Sequence, residues 1–111
     1  MNGYYDPADL PKFPQVGEDA PELAKKFFEY YKAATSGGGE LTGREKALIG
    51  LAVAHTVQCP YCIDAFTQSC LSSGSNMTEM TEAVHVAVAV RGGASLVHAV
   101  QMKNVAKKLS L

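Results

Sequence analysis

The chain has 111 residues, 47% of them hydrophobic, and a formal charge of −1, which is room for one domain with a sizeable core. No basic stretch is longer than a pair, the last being Lys107-Lys108 at the end, so neither a nucleic-acid surface nor a lipid-binding patch is expected. Three cysteines are too few for a disulfide framework, and in a cytoplasmic chain they point to redox or metal chemistry. The stretch 1–14 is polar and proline-dotted, with no apolar core flanked by positive charge, so it does not read as a signal peptide. No apolar run is long enough to span a bilayer. The expected setting is therefore the cytoplasm, with no membrane partner.

Residues 1–17 hold Pro7, Pro11, Pro14, Gly3 and Gly17, with Tyr4, Tyr5 and Phe13 among them. This composition predicts an extended N-terminal arm whose aromatics pack on the body or on a neighbouring subunit. The remainder, 18–111, reads as a helical domain. Asp19, Pro21 and Glu22 form a helix start, and Leu23, Phe27, Tyr30, Tyr31 and Ala34 follow at helical spacing, which predicts an amphipathic helix over 20–35. Ser36-Gly37-Gly38-Gly39 ends it and lacks the strand and helix context of a phosphate loop.

Thr42 and Glu45 have capping-box spacing, and the helix they open, with Ala47, Leu48, Leu51, Ala52 and Ala54, is expected to be mostly buried. It should end near Val57 or Gln58, because Pro60 disfavours helix in the residue before it. A third helix is expected from Pro60 to about Ser73, with Ile63, Phe66 and Leu71 inward and Gly74 as its stop. Asn76 with Glu79, or Thr78, caps a fourth, apolar from Ala83 to Val90 except for His85. Val84, Val86, Val88 and Val90 alternate as in a strand, but a lone strand makes no sheet. Gly92-Gly93 is read as a break, with a last helix over 94–109. The expected fold is all-α, with about five helices. The later helices are apolar over more than one stripe, which calls for cover by another subunit and predicts a homo-oligomer.

The chemistry concentrates in His55-Thr56-Val57-Gln58-Cys59-Pro60-Tyr61-Cys62. Pro60 suits the first helical position, which places Cys59 at the cap and Cys62 in the first turn. Cysteines three apart at a helix start can close a disulfide, and the unpaired N–H groups there favour a thiolate. The reading is a redox-active Cys59–Cys62 dithiol. His55, four residues before Cys59, is a candidate base or hydrogen-bond partner, set against an ordinary core histidine. Glu45, on the helix leading into the motif, is first a capping acid and second a relay candidate. His85 and His98 each interrupt an apolar face and read as hydrogen-bonded core residues unless their helix packs on the dithiol. The competing reading is zinc held by His55, Cys59, Cys62 and either Cys70 or His85. No second close ligand pair exists, and Cys70 lies about 12 Å further along the helix and rotated away. No metal and no other cofactor is expected, and Cys70 reads as a packed, inert thiol.

The stretch Arg44-Glu45-Lys46-Ala47-Leu48-Ile49-Gly50-Leu51-Ala52-Val53-Ala54, followed by Gln58-Cys59-Pro60-Tyr61-Cys62, resembles the alkylhydroperoxidase D and carboxymuconolactone decarboxylase family in its AhpD-like core. Gly74, Thr78-Glu79 and the small-residue helix with Gly92-Gly93 fit as well, over roughly residues 20–108. Within the family the chain is most similar to small proteins described as arsenosugar-biosynthesis-associated peroxidase-like. The resemblance implies an AhpD-like helical bundle assembled as a trimer or hexamer. It also implies thiol peroxidase or disulfide oxidoreductase activity, acting on a hydroperoxide or a protein disulfide and restored by an external thiol reductant. It casts Cys62 as the attacking and Cys59 as the resolving cysteine, whereas the dipole argument alone favours Cys59. Two positions depart from the family pattern: Phe66 stands where the family has a histidine, and Ala47 where it has a glutamate. His55 and Glu45, or His85 or His98, would have to take over, or peroxide reduction is slow. Carboxymuconolactone decarboxylase itself lacks the cysteine pair, so decarboxylation is not implied. The alternative to an enzyme is a non-enzymatic redox- or metal-responsive binding protein.

Overall fold

The computed structural model describes Gly3 and residues 5–109; the expectation for Tyr4 lies outside these. After a 3-10 segment at Pro7–Gly17 come five α-helices: α1 (Pro21–Thr35), α2 (Gly43–Val57), α3 (Pro60–Ser72), α4 (Met77–Val97) and α5 (Ala99–Lys108). The described residues contain no strand. The all-α expectation and the helix count hold.

Helix α2 is the central element, with α3 and α4 packed along it. Its start is the anticipated capping box: Thr42 Oγ1 accepts the Glu45 N–H at 3.1 Å, and Glu45 Oε1 accepts the Thr42 N–H at 2.8 Å. The same device opens α4, where Asn76 and Glu79 exchange bonds of 2.9 and 3.0 Å. Arg44 pairs with Glu79, joining the two starts side by side. Further along, Arg91 donates to the Thr56 carbonyl, a second tether between α4 and α2. The core between α2, α3 and α4 is Ala47, Leu51, Cys70 and Met80, with Leu48, Phe66 and Val84 against it. Phe66 lies so close over α2 that a Cβ at Gly50 would fall 2.3 Å from its ring, so position 50 must be bare. Cys70 is fully buried, and burial raises its thiol pKa, consistent with the inert role expected of it.

Several expectations about which surfaces are buried need correction. The N-terminal arm is not extended. Asp6 caps it by accepting the Ala8 N–H at 3.0 Å, and the ring-fixed φ of Pro7, Pro11 and Pro14 lies within the 3-10 range. In α1 the packed face is Ala24, Phe28, Tyr31 and Thr35, one residue (about 100°) round from the stripe read in the sequence and sharing Tyr31 with it; Leu23, Phe27, Tyr30 and Ala34 stay exposed. Helix α2 buries one stripe only, Ala47, Leu51 and Ala54, and leaves Ile49, Val53 and Val57 exposed. Leu71 is exposed as well, and Cys70 takes the inward place.

The largest difference is at Gly92-Gly93, through which α4 runs unbroken to Val97 before turning at His98. Each glycine costs a helix only about 1 kcal/mol against alanine, a penalty the flanking turns carry. Without that break, Met77–Lys108 is long and apolar enough to cross a membrane by length and composition, contrary to the sequence expectation. This run is nonetheless anchored into the domain by its contacts with α2. Its outer surface is another matter. Val86, Val88, Val90, Leu96, Val97, Val100, Met102 and Val105 are all more than half exposed. His85 and His98 are exposed on the same elements rather than set in a core. The radius of gyration is 18.8 Å, where a compact domain of this length has about 13 Å.

Candidate functional site

The connection from α2 to α3 is two residues long and is built by local backbone rules. Gln58 adopts the left-handed conformation (φ 56°, ψ 51°) that closes α2, and the Cys59 N–H bonds back to the Ala54 carbonyl at 3.1 Å. A non-glycine residue pays roughly 1 kcal/mol for this geometry. The turn aims the chain so that Cys59 becomes the cap of α3 with Pro60 at the first helical position. There Cys59 Sγ accepts the backbone N–H of Cys62 at 3.3 Å, the role an aspartate or serine oxygen plays at an ordinary cap. Both side chains are half-buried.

The two sulfurs differ in their surroundings. Burial first, and then the hydrogen bond to and charge of Cys59, push the Cys62 thiol up to about 11. This direction is opposite to the activation that the resemblance implies for Cys62. The position that receives a backbone N–H at the positive end of α3 is Cys59.

Two apolar cavities meet at this point. One, of about 480 Å³, is walled by Leu10, Phe13 and Val16 of the N-terminal segment, by Tyr31, and by Cys59, Tyr61, Cys62 and Ala65 at the start of α3. The arm is thus part of the site. It is held there by edge-on packing of Phe13 against Phe28 (5.2 Å between centroids) and of Tyr5 against Tyr61 (4.6 Å). Tyr5 also donates a 2.6 Å hydrogen bond to Asp64, which raises the phenol to about 12 and lowers the carboxyl. The second cavity, of about 400 Å³, lies between α1, α2 and α3 and includes Tyr31, Cys62, Gly50, Val53 and Phe66. Cys62 and Tyr31 belong to both.

The residues proposed from sequence are only partly brought together. Cys59 and Cys62 share one cavity wall. His55 does not line either cavity: its Nδ1 lies 2.8 Å from the Leu51 carbonyl, an acceptor only, so this nitrogen carries the proton and binds its own helix. Glu45 is occupied by Thr42, whose N–H lowers its pKa, and lies about 18 Å along α2 from the helix end at Val57. Within the chain neither reaches the sulfurs, and nor do exposed His85 and His98. Phe66, in the family's histidine position, supplies only an apolar wall. Among the described residues no three His, Cys, Asp or Glu side chains converge to hold a metal ion. The residue missed from sequence is Tyr31. It lines the first cavity with both cysteines and the second with Cys62, and burial, followed by the charges of Cys62 and Cys59, raises its pKa. In the sequence it was one aromatic among several on α1, with nothing to say that its face would meet α3.

Residues 21–102 match the carboxymuconolactone decarboxylase family. The chain belongs to that family. A carboxymuconolactone decarboxylase family protein from Legionella pneumophila, solved in its apo form, superposes with a TM-score of 0.65 at 30% identity, over 91% of this chain and 89% of that one. A protein of known structure from Methanobacterium thermoautotrophicum superposes with a TM-score of 0.72 at 34% identity, over 77% and 94%. In sequence the chain is 41% identical over 61 residues to an uncharacterised protein encoded in the cox locus of Paracoccus denitrificans; the match spans 55% of each. The fold and the AhpD-like core expected from the dithiol segment are those of this family, which includes both decarboxylases and peroxidases.

Proposed function

We propose that the chain is a dithiol oxidoreductase that reduces a hydroperoxide or a partner disulfide through Cys59 and Cys62. The observation that carries this reading is the Cys59 sulfur capping α3 on the N–H of Cys62 at 3.3 Å, at the wall of an apolar cavity large enough for a small organic substrate. Cys59, whose sulfur receives the Cys62 N–H at the start of α3, is the attacking sulfur, and Cys62, whose proton is held by burial and by Cys59, serves as the resolving thiol. Attack on a hydroperoxide forms a sulfur–oxygen bond, breaks the oxygen–oxygen bond and leaves Cys59 as a sulfenic acid with an alcohol released. Cys62 then displaces the hydroxyl as water and closes the disulfide. An external thiol reductant supplies the two electrons that reopen it, and no cofactor takes part.

The assembly belongs to the same reading. The exposed aliphatic surface of α4 and α5, joined to the stripe of Ile49, Val53 and Val57 on α2, is more than a lone soluble subunit of this size leaves open. Further copies of the chain cover it, as a trimer or hexamer, in the cytoplasm, with neither membrane nor nucleic acid as partner. One observation favours the alternative of a non-enzymatic redox-responsive protein: Phe66 replaces the family's histidine, which would slow turnover. Mass measurement of the Cys59–Cys62 peptide before and after peroxide, with and without a thiol reductant, tests both. Loss of two hydrogens with repeated turnover supports the enzyme, a single stoichiometric oxidation supports the sensor, and an unchanged mass refutes both.

A further inference from the structure

A hydroperoxide cut by a thiolate leaves an alkoxide, a poor leaving group that needs a proton as the oxygen–oxygen bond breaks. Among the described residues no imidazole lines either cavity, and the carboxylate that lines the first, Asp9, is paired with Lys12: His55 is bound to Leu51 outside both cavities, Glu45 is held in its cap, and Phe66 fills the remaining place. The other polar groups of the two cavities are committed or lie to one side. Lys12 is paired with Asp9 at 3.1 Å, Lys46 donates to the Ser36 carbonyl at 2.7 Å, and Tyr61 borders the first cavity only and packs against Tyr5. Tyr31 lines both cavities, as does Cys62, and shares the wall of the first with both cysteines.

We infer that the Tyr31 hydroxyl is the proton donor of the dithiol site, giving its proton to the alkoxide that leaves when Cys59 attacks a hydroperoxide. The inference rests on the dithiol reading above. In the step, Cys59 Sγ bonds to the terminal peroxide oxygen and is oxidised by two electrons; the alkoxide takes the Tyr31 proton and departs as alcohol. The tyrosinate then removes the proton of Cys62, whose thiolate displaces hydroxide from the sulfenic acid. That hydroxide leaves as water with the proton first released by Cys59. A phenol suits both halves, since burial among apolar walls keeps it protonated until an alkoxide, a stronger base, is beside it. The position also explains how the site can do without the histidine that Phe66 replaces.

The test uses the full-length reduced chain and its Tyr31→Phe form, which removes one oxygen, with Tyr30→Phe on the exposed side of α1 as the control. Single-turnover oxidation is followed with cumene hydroperoxide and with dithiobis(nitrobenzoate), whose aryl thiolate leaves without a proton. Tyr31→Phe is expected to slow the peroxide reaction about 100-fold and the disulfide reaction less than about 3-fold, with Tyr30→Phe altering neither. An equal loss with both reagents would make Tyr31 a packing residue and overturn the inference, as would no loss with either. Failure of the underlying reading looks different: the unaltered chain itself then leaves cumene hydroperoxide untouched, and the donor role falls with it.

Discussion

Replacing Cys59 by alanine tests how the two sulfurs share their proton. Three effects hold the Cys62 thiol near 11 instead of 9.0: burial, the hydrogen bond to Cys59, and the Cys59 charge. At pH 7 a thiol titrating near 11 is ionised in about one molecule in 10,000, one titrating near 9.0 in about one in 100. Cys59→Ala removes the second and third causes but leaves burial, the largest, so the thiolate fraction of Cys62 should rise by about ten-fold, short of the full hundred. Iodoacetamide reacts with the thiolate, so the alkylation rate of Cys62 at pH 7, mapped by peptide mass, should rise by that factor. In the unaltered chain Cys59 should be labelled first. The sign of the pH dependence follows from the same shift. The folded chain keeps the Cys62 proton up to about 11 while the unfolded chain releases it near 9.0, so this contribution to stability is complete below pH 9 and is lost as pH rises toward 11. Preferential labelling of Cys62 in the unaltered chain, or a Cys62 rate that falls in Cys59→Ala, would refute the reasoning and return the attacking role to Cys62.

Gly50→Ala should cost about 1–2 kcal/mol in denaturant unfolding at fixed chain concentration: the new methyl meets the Phe66 ring at 2.3 Å, and overpacking outweighs the gain in helix propensity. Phe66→Leu in the same background should recover part of the loss, and additive costs would show that the two positions do not touch. Gln58→Gly, at the left-handed turn before the dithiol, should raise the unfolding midpoint by an amount worth up to about 1 kcal/mol, and Gln58→Val should lower it; the reverse order would contradict the turn geometry. Light scattering behind size exclusion should give a multiple of 11.8 kDa at micromolar concentration, and Leu96→Asp on the exposed apolar face should drive it toward the monomer. A clean monomer for the unaltered chain would remove the assembly.

The secondary structure was legible wherever the signal was local. Capping boxes at Thr42 and Asn76, Pro60 at a first helical position and Gly74 as a stop act within one turn of chain, and each stands where the spacing put it. The misreadings are where competition decided: Gly92-Gly93 weakens a helix without forbidding it, and prolines in the arm suit a 3-10 winding as well as an extended one.

What the sequence determined alone is the dithiol at the start of α3, because cap, proline and both cysteines lie within four consecutive residues. Which groups stand around those sulfurs is a property of tertiary packing. Helix periodicity allowed α1 to bury either of two neighbouring stripes. Tyr31, common to both stripes, lines a cavity with the thiols because α1 packs beside α3, while His55, four residues from Cys59 in sequence, turns back to its own helix. Sequence distance limits what a side chain can reach only along one element; between elements, the direction in which each helix face looks decides.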